Sequence, residues 1–246
     1  MRKILALKPK VIYQDLKHIS YAEAWDYQFQ LQRELIDGKI AARKATEGQD
    51  IVSDFIQKHY LVFCEHNPVY TLGKSGSMDN LLLDENGLNT EGVEFFKINR
   101  GGDITYHGPG QITGYPIFDL DYFFNDVHKY VRSLEEVIIR TLAEYDLEGV
   151  RIKEFTGVWF EGVGDKPKRK ICAIGVHLSR WVTMHGFAFN VNTDLKYFKN
   201  IIPCGIVDED KTVTTLALEL DRPVDVEEVK EKLKRHFADV FGFDFE

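Results

Sequence analysis

Residues 157–192 read GVWFEGVGDKPKRKICAIGVHLSRWVTMHGFAFNVN. Three β-prone runs lie within this stretch, Gly157–Glu161, Lys170–Leu178 and Gly186–Asn192, rich in Val, Ile, Phe and Trp. Between the first two sits GVGDKPKR, a Gly/Pro/Lys turn that reads as a hairpin. Upstream, Asp126–Leu147 is read as a long helix, with Val127, Tyr130, Val131, Leu134, Val137, Ile138 and Leu142 on one face. Downstream, Asp225 and Glu228 read as a capping box opening a helix whose stripe is Val226, Val229, Leu233, Phe237 and Val240.

The N-terminal part repeats the alternation of strand groups and helices. Val11–Leu16 is a strand candidate, and Ser20 with Glu23 caps a helix carrying Tyr21, Ala24, Trp25, Gln28, Leu31 and Leu35 at helical spacing. Tyr60–Glu65 and Val93–Asn99 read as strands, with a turn at Asn67-Pro68 and a loop at Gly73-Lys74-Ser75-Gly76. Strands adjacent in sequence, with helices between the groups, predict an α+β fold with a mixed β-sheet flanked by helices. No Pro/Gly/Ser-rich linker divides the chain, so residues 1–246 are expected to form a single domain. The polar run 39–50, with AARKATEGQD at its centre, is expected to be a mobile surface segment.

The chain carries 44% hydrophobic and 28% charged residues with a net charge of -8, a balance that excludes disorder and disfavours nucleic acid as a partner. No apolar run approaches the ~18–20 residues of a membrane span. The apolar stretch Ile4–Leu7 is too short for a signal-peptide core, so a cytoplasmic protein without a membrane partner is expected. Three cysteines are too few for a disulfide framework and fit free thiols in a reducing compartment.

Familiar ligand motifs fail on spacing. Gly73-Lys74-Ser75 ends like a phosphate loop, but Pro68 occupies the position of the required first glycine. Gly108-Pro109-Gly110 starts like a dinucleotide fingerprint, but Thr113 replaces its last small residue. With no HExxH and no CxxC, no metal site is expected. By contrast, Gly101, Gly102, Gly108 and Gly110 fall among Arg100, Asp103, Thr105, Tyr106 and His107, more glycine than one turn needs. The segment from Arg100 to Gln111 therefore reads as a loop that lets backbone approach a ligand closely.

The cysteines differ in context. Cys64 and Cys172 lie inside apolar strands and read as small buried hydrophobes. Cys204 stands between Pro203 and Gly205, on a turn where a sulfur can be exposed, as a nucleophile requires. Its activating base is open among His107, His185 and Lys170.

Four segments in order, EHNPVYTLGKSG, RGGDITYHGPGQITGYPIFDL, KRKICAIGVHLSRWVTMHGFAFNVNTDL and PCGI, resemble the lipoyl(octanoyl) transferases of lipoate biosynthesis over about Ser20 to Asp239. The resemblance implies the fold shared by biotin and lipoate protein ligases. It implies transfer of an octanoyl group from octanoyl-acyl carrier protein to a lysine of lipoyl domains. The acceptors would be the E2 subunits of 2-oxoacid dehydrogenases and the glycine cleavage H protein. The family nucleophile falls on Cys204 and its essential lysine on Lys170. Substrate-binding positions fall on Arg100, Gly101, Gly102, Asp103, Ile104, Thr105, Tyr106 and His107, on Ala173, Ile174 and Gly175, and on Gly186, Phe187 and Ala188. His185 precedes the last group as a supporting residue. The usual EHPP appears here as Glu65-His66-Asn67-Pro68. No cofactor is implied, because a thioester donor is already activated.

Two other functions fit parts of this pattern. An ATP-dependent lipoate or biotin ligase keeps a lysine but needs no cysteine nucleophile. A non-catalytic module binding carrier proteins or lipoyl domains needs neither Cys204 nor Lys170.

Overall fold

The computed structural model describes residues 8–45, 57–164, 166–203 and 211–246. In chain order the elements are β1 (Lys10–His18), α1 (Tyr21–Ala45), β2 (His59–Glu65), β3 (Val69–Leu72), α2 (Glu85–Glu91), β4 (Glu94–Lys97), β5 (Ile104–His107) and β6 (Gln111–Ile117). There follow α3 (Val127–Ala143), β7 (Val150–Ile152), β8 (Phe155–Phe160), β9 (Lys168–Ser179), β10 (Val182–Asn190), β11 (Lys211–Val213), α4 (Leu216–Leu220), α5 (Val226–Phe241) and β12 (Asp244–Phe245).

Among the described residues, the main sheet runs β12-β1-β2-β6-β10-β9-β8-β7, with β11 beside β9. The sheet is mixed: β1 is parallel to β12 and β2, β11 is parallel to β9, and the other pairs are antiparallel. A small second sheet has the order β4-β3-β5. The α+β class with a mixed sheet is as the sequence predicts.

The period of two along β2 builds both faces of the core. Tyr60, Val62 and Cys64 face α1, where Ala24, Leu31 and Leu35 meet them. Leu61 and Phe63 face the opposite way, into the cluster formed with α3 and α5. Helix α3 is capped by the Asp126 carboxylate, which accepts the Lys129 N–H at 3.0 Å, and buries Tyr130, Leu134, Val137, Ile138 and Leu142. Those side chains and Leu233 and Phe237 of α5 are fully buried, each contributing about 1.5–3 kcal/mol in burial free energy.

Three local readings differ from the sequence. Ile104–His107 is a strand of the small sheet, not part of one continuous loop. Lys39–Ala45, expected in the mobile segment, is the last part of α1. Lys39 is buried there, with its Nζ 2.7 Å from Asp119 Oδ1 and 2.6 Å from Asp121 Oδ2, so a charged residue anchors the helix through partners distant in sequence. Residues 46–50 of that segment lie outside the described residues. At α5, Asp225 caps the helix by accepting the Glu227 N–H at 2.9 Å, while the Glu228 carboxylate accepts the Tyr145 hydroxyl. Among the described residues, no helix is long and apolar enough to cross a membrane.

Candidate active site

Strand β9 outruns its antiparallel partner β10, and at its exposed beginning β11 pairs with it instead. Lys170 stands there, flanked by Trp159 of β8 and Val213 of β11. Its side chain is buried at 6% exposure, and Nζ lies 4.5 Å from the Trp159 ring centroid. The π face favours a cation at that position.

Five residues further along the chain the sheet loses its side chains on one face. Gly175 of β9 pairs with Gly186 of β10, and a Cβ at Gly175 would lie 2.8 Å from the Gly101 carbonyl oxygen. That bareness lets the 100–103 loop rest on the sheet, where the Gly101 N–H donates to the Val176 carbonyl at 2.9 Å. Arg100 is buried and crosses back to β3, donating from Nη2 to the Thr71 carbonyl at 2.6 Å and to Thr71 Oγ1 at 3.0 Å. Gly102 has φ of +86°, a backbone that excludes a Cβ without strain.

The Gly73-Lys74-Ser75-Gly76 loop clasps this segment from the other side. The N–H groups of Gly73, Lys74 and Ser75 donate to the carbonyls of Asp103, Arg100 and Gly102 at 2.9–3.2 Å. Its glycine-rich sequence is therefore a backbone clamp. Gly108 and Gly110 also serve packing: a Cβ at Gly108 would strike the Tyr106 hydroxyl, and one at Gly110 the Asn192 backbone.

A cavity of about 480 Å³ lies between the loop and the sheet. Every residue of 100–107, 173–175 and 186–188 lines it except Tyr106, and Lys170 and His185 line it as well. Tyr106 points the other way, as strand alternation relative to Thr105 and His107 dictates, and stacks on Tyr197 at 4.8 Å. Cys204 lies outside the described residues; its neighbour Pro203 and Val213 on the far flank of that stretch both line the cavity. Cys64 and Cys172 are fully buried, and desolvation pushes both thiols far up from their ordinary range.

Sequence reasoning missed the polar wall. Tyr21 from α1, Gln111, Thr113 and Tyr115 from β6 and Asn190 from β10 also line the cavity. The His107 imidazole bonds Gln111 Oε1 at 2.9 Å, Gln111 Nε2 donates to Asn190 Oδ1 at 2.9 Å, and Asn190 Nδ2 donates to the Thr214 carbonyl at 3.1 Å. The Thr214 N–H donates to the Lys170 carbonyl, so a continuous chain ties the end of β5 to the lysine's backbone. The visible signal was three polar residues, Gln111, Thr113 and Asn190, inside otherwise apolar strands.

Burial keeps the site's histidines His66, His107 and His185 neutral. Desolvation lowers His185 to about 3 and His66 to about 4, and carries His107 well below its ordinary value. His185 also has φ of +60° within β10, held by its N–H donating to Gln28 Oε1 at 3.0 Å, and its Nε2 bonds Asn99 Oδ1 at 2.8 Å. A base that weak has little capacity to deprotonate a thiol at neutral pH.

Residues 21–238 match the lipoyl protein ligase A/B catalytic domain. An octanoyltransferase of Flavobacterium psychrophilum is 58% identical over 229 residues, spanning 93% of this chain and 95% of its own. One of Cytophaga hutchinsonii is 51% identical, spanning 96% and 94% respectively. Among solved structures, the bipartite lipoate protein ligase of Thermoplasma acidophilum shares the fold with a TM-score of 0.67 at 18% identity, covering 97% of this chain and 86% of that one. The chain belongs to the lipoyl protein ligase A/B catalytic domain family and, like its octanoyltransferase relatives, is an acyltransferase.

Proposed function

We propose that this enzyme moves an octanoyl group from octanoyl-acyl carrier protein to a specific lysine of lipoyl domains, through a thioester on Cys204. The acceptors are the E2 subunits of 2-oxoacid dehydrogenases and the glycine cleavage H protein. The observation that carries the reading is the buried Lys170 on the wall of a cavity that Pro203, the neighbour of Cys204, also lines.

The chemistry balances without an external energy source. An ordinary thiol, with pKa near ~8.5, is only a few per cent thiolate at pH 7, and a nearby ammonium favours the thiolate. The Cys204 thiolate attacks the donor carbonyl, the new C–S bond forms, and the donor's C–S bond breaks as its sulfur leaves with a proton from the Lys170 ammonium, which becomes the neutral amine. One thioester has replaced another, so this step is close to balanced. The acceptor amine then attacks the acyl-enzyme, gives up a proton to Lys170, and forms an amide as Cys204 departs. Amide formation drives the cycle forward. The backbone N–H groups of Gly101 and Gly110 are engaged by Val176 and by the Glu65 carboxylate, so the oxyanion must draw on other donors. A mechanism built on a free thiol suits a reducing cytoplasm.

The likeness in fold to a lipoate protein ligase favours ATP-dependent ligation as a second reading. Incubation with octanoyl-carrier protein and a lipoyl domain, without ATP, separates the two. Octanoylation of the domain supports transfer; a strict requirement for ATP and free octanoate overturns it.

A further inference from the structure

Three buried side chains of α1 reach across to the β9–β10 hairpin. Gln28 Oε1 accepts the His185 N–H at 3.0 Å, Gln32 Nε2 donates to the Val182 carbonyl at 2.9 Å, and Lys39 Nζ donates to the Arg180 carbonyl at 2.9 Å. The first bond stands apart from the other two. Gln28 is fully buried, and its Nε2 makes no well-formed hydrogen bond among the described residues, an unfavourable placement that needs a reason. The sheet cannot supply the bond that Gln28 makes. The ladder of β10 with β6 ends at Phe187 and Gly114, and two further residues would set His185 opposite Pro116. Proline has no N–H, and the Pro116 carbonyl already accepts the Thr183 hydroxyl at 2.7 Å. At that break His185 takes a left-handed backbone, with φ of +60°, which a residue with a Cβ holds only where its surroundings fix it.

We propose that Gln28 is a positioning residue for the transfer reaction: its side-chain oxygen locks His185 into the left-handed turn of β10 and, through His185, sets the 99–103 loop over the cavity. The His185 imidazole reaches the start of that loop, where its Nε2 bonds Asn99 Oδ1 at 2.8 Å. With an oxygen as partner, Nε2 carries the ring proton and Nδ1 the lone pair. Asn99 directly precedes Arg100 and Gly101, and His185, Gly186, Arg100 and Gly101 all line the cavity. Gln28 is not on the cavity wall, so it acts through His185. Without the Gln28 oxygen the His185 N–H would be buried and unsatisfied, and the backbone would relax toward the extended region. The imidazole would then leave Asn99, and the loop would lose a tie beside the bound acyl group.

The test sets Gln28→Met against Gln32→Met, two variants of similar shape that each remove one buried bond from α1 to β10. Gln28→Met is expected to raise KM for octanoyl-carrier protein about tenfold with kcat within about twofold, because Cys204 and Lys170 are untouched. Gln32→Met is expected to lower Tm comparably and to leave KM unchanged. Gln28→Glu, whose carboxyl burial keeps neutral with an oxygen at the same reach, should stay within about threefold of the wild-type KM. These rates rest on the proposed octanoyl transfer; a second measurement does not. Histidine ¹⁵N NMR of the free enzyme should show His185 fixed as the Nε2–H tautomer in the wild type and in Gln28→Glu, and exchanging between tautomers in Gln28→Met. Should Gln28→Met not fold, Gln28→Asn, one methylene too short to reach the N–H, takes its place with the same expected outcomes. Equal rises of KM in the Gln28 and Gln32 variants would make the contact one of stability alone and overturn the proposal. So would an unchanged KM, or a His185 tautomer that stays fixed, when the Gln28 oxygen is removed. A wild-type enzyme that does not use octanoyl-carrier protein, yet shows the tautomer locked by Gln28, would overturn octanoyl transfer and uphold the positioning role.

Discussion

Lys170 and Trp159 are register partners across β9 and β8, and the lysine Nζ lies 4.5 Å from the indole ring centroid. The contact holds a buried lysine against an aromatic face on the wall of the cavity. In the proposed reaction this lysine would favour a thiolate and also move a proton, because an ammonium can exchange a proton where a guanidinium cannot.

Replacing Lys170 should therefore damage both halves of the cycle. Lys170→Ala is expected to lower kcat by about 10²–10⁴, the usual range for a lost proton-transfer group. Alkylation of Cys204 at neutral pH should slow, with its pH profile displaced upward. Lys170→Arg should rescue poorly. An alkylation profile in Lys170→Ala that overlays the wild type would break the pairing of the two residues.

The bare face of β9 gives a steric prediction. A methyl at Gly175 would lie 2.8 Å from the Gly101 carbonyl oxygen and 3.0 Å from Arg100 Cδ. Gly175→Ala is expected to cost about 1–3 kcal/mol, as overpacking does, and to raise KM for the donor by displacing the loop. At Gly101 itself the nearest atom, the Val176 carbonyl oxygen, would be 3.5 Å from a Cβ, so Gly101→Ala should fold with nearly wild-type Tm. Thermal melts of the two variants that coincide would contradict this picture of the loop resting on glycine.

Stability should depend on pH through buried histidines. Desolvation lowers His59 and His185 to about 3 and His66 to about 4, and takes His107 well below its ordinary value. Depressed folded-state values mean that the unfolded chain binds protons more readily below its own pKa of about 6.5. The stability these groups contribute is complete above that pH and is lost as pH falls toward the folded values. Each group adds a slope of up to about 1.4 kcal/mol per pH unit in that window. Tm should fall steeply from pH 6.5 to 4.5, before most carboxylates titrate; a Tm that stays level across that range would contradict the neutral, buried assignment.

In the proposed transfer, docking of an acidic carrier protein would require a local positive field, since the enzyme is itself acidic at -8. Of the run Lys166, Lys168, Arg169 and Lys170, Arg169 pairs with Glu219 at 2.8 Å and Lys170 is buried, which leaves Lys166 and Lys168 to act outward. Lys166→Glu with Lys168→Glu is expected to raise KM for the carrier-protein donor with little change in kcat, and to flatten the rise of KM with salt. Equal KM values at low salt would remove this hairpin from the docking surface.

How much of this was legible in sequence follows from the range of the interactions. The Ser20–Glu23 cap is local, and the hydroxyl indeed accepts the Glu23 N–H at 3.3 Å while donating to its carboxylate at 2.6 Å. The stripe of α3 and the three strands after it are set by period and turn chemistry, which a single sequence displays. The strand Ile104–His107 was hidden because glycines on both sides dominate the local signal. Its partner Val69–Leu72 is only four residues long. The parallel pairing of β11 with β9 leaves no mark on either strand's own periodicity, yet it places Val213 beside Lys170. The polar wall had the same obstacle. Tyr21 reads as an ordinary apolar helix position, and its place on the cavity is decided by where α1 crosses the sheet.

The central claim is the covalent step on Cys204, and an intact-protein mass spectrum taken after mixing the enzyme with octanoyl-carrier protein, without acceptor, tests it most directly. The account predicts a gain of one octanoyl group in the wild type and in Cys64→Ala and Cys172→Ala, no gain in Cys204→Ala, and discharge of the label when a lipoyl domain is added. An unacylated wild-type enzyme that still octanoylates the lipoyl domain, or a Cys204→Ala enzyme that becomes acylated and turns over, would contradict it.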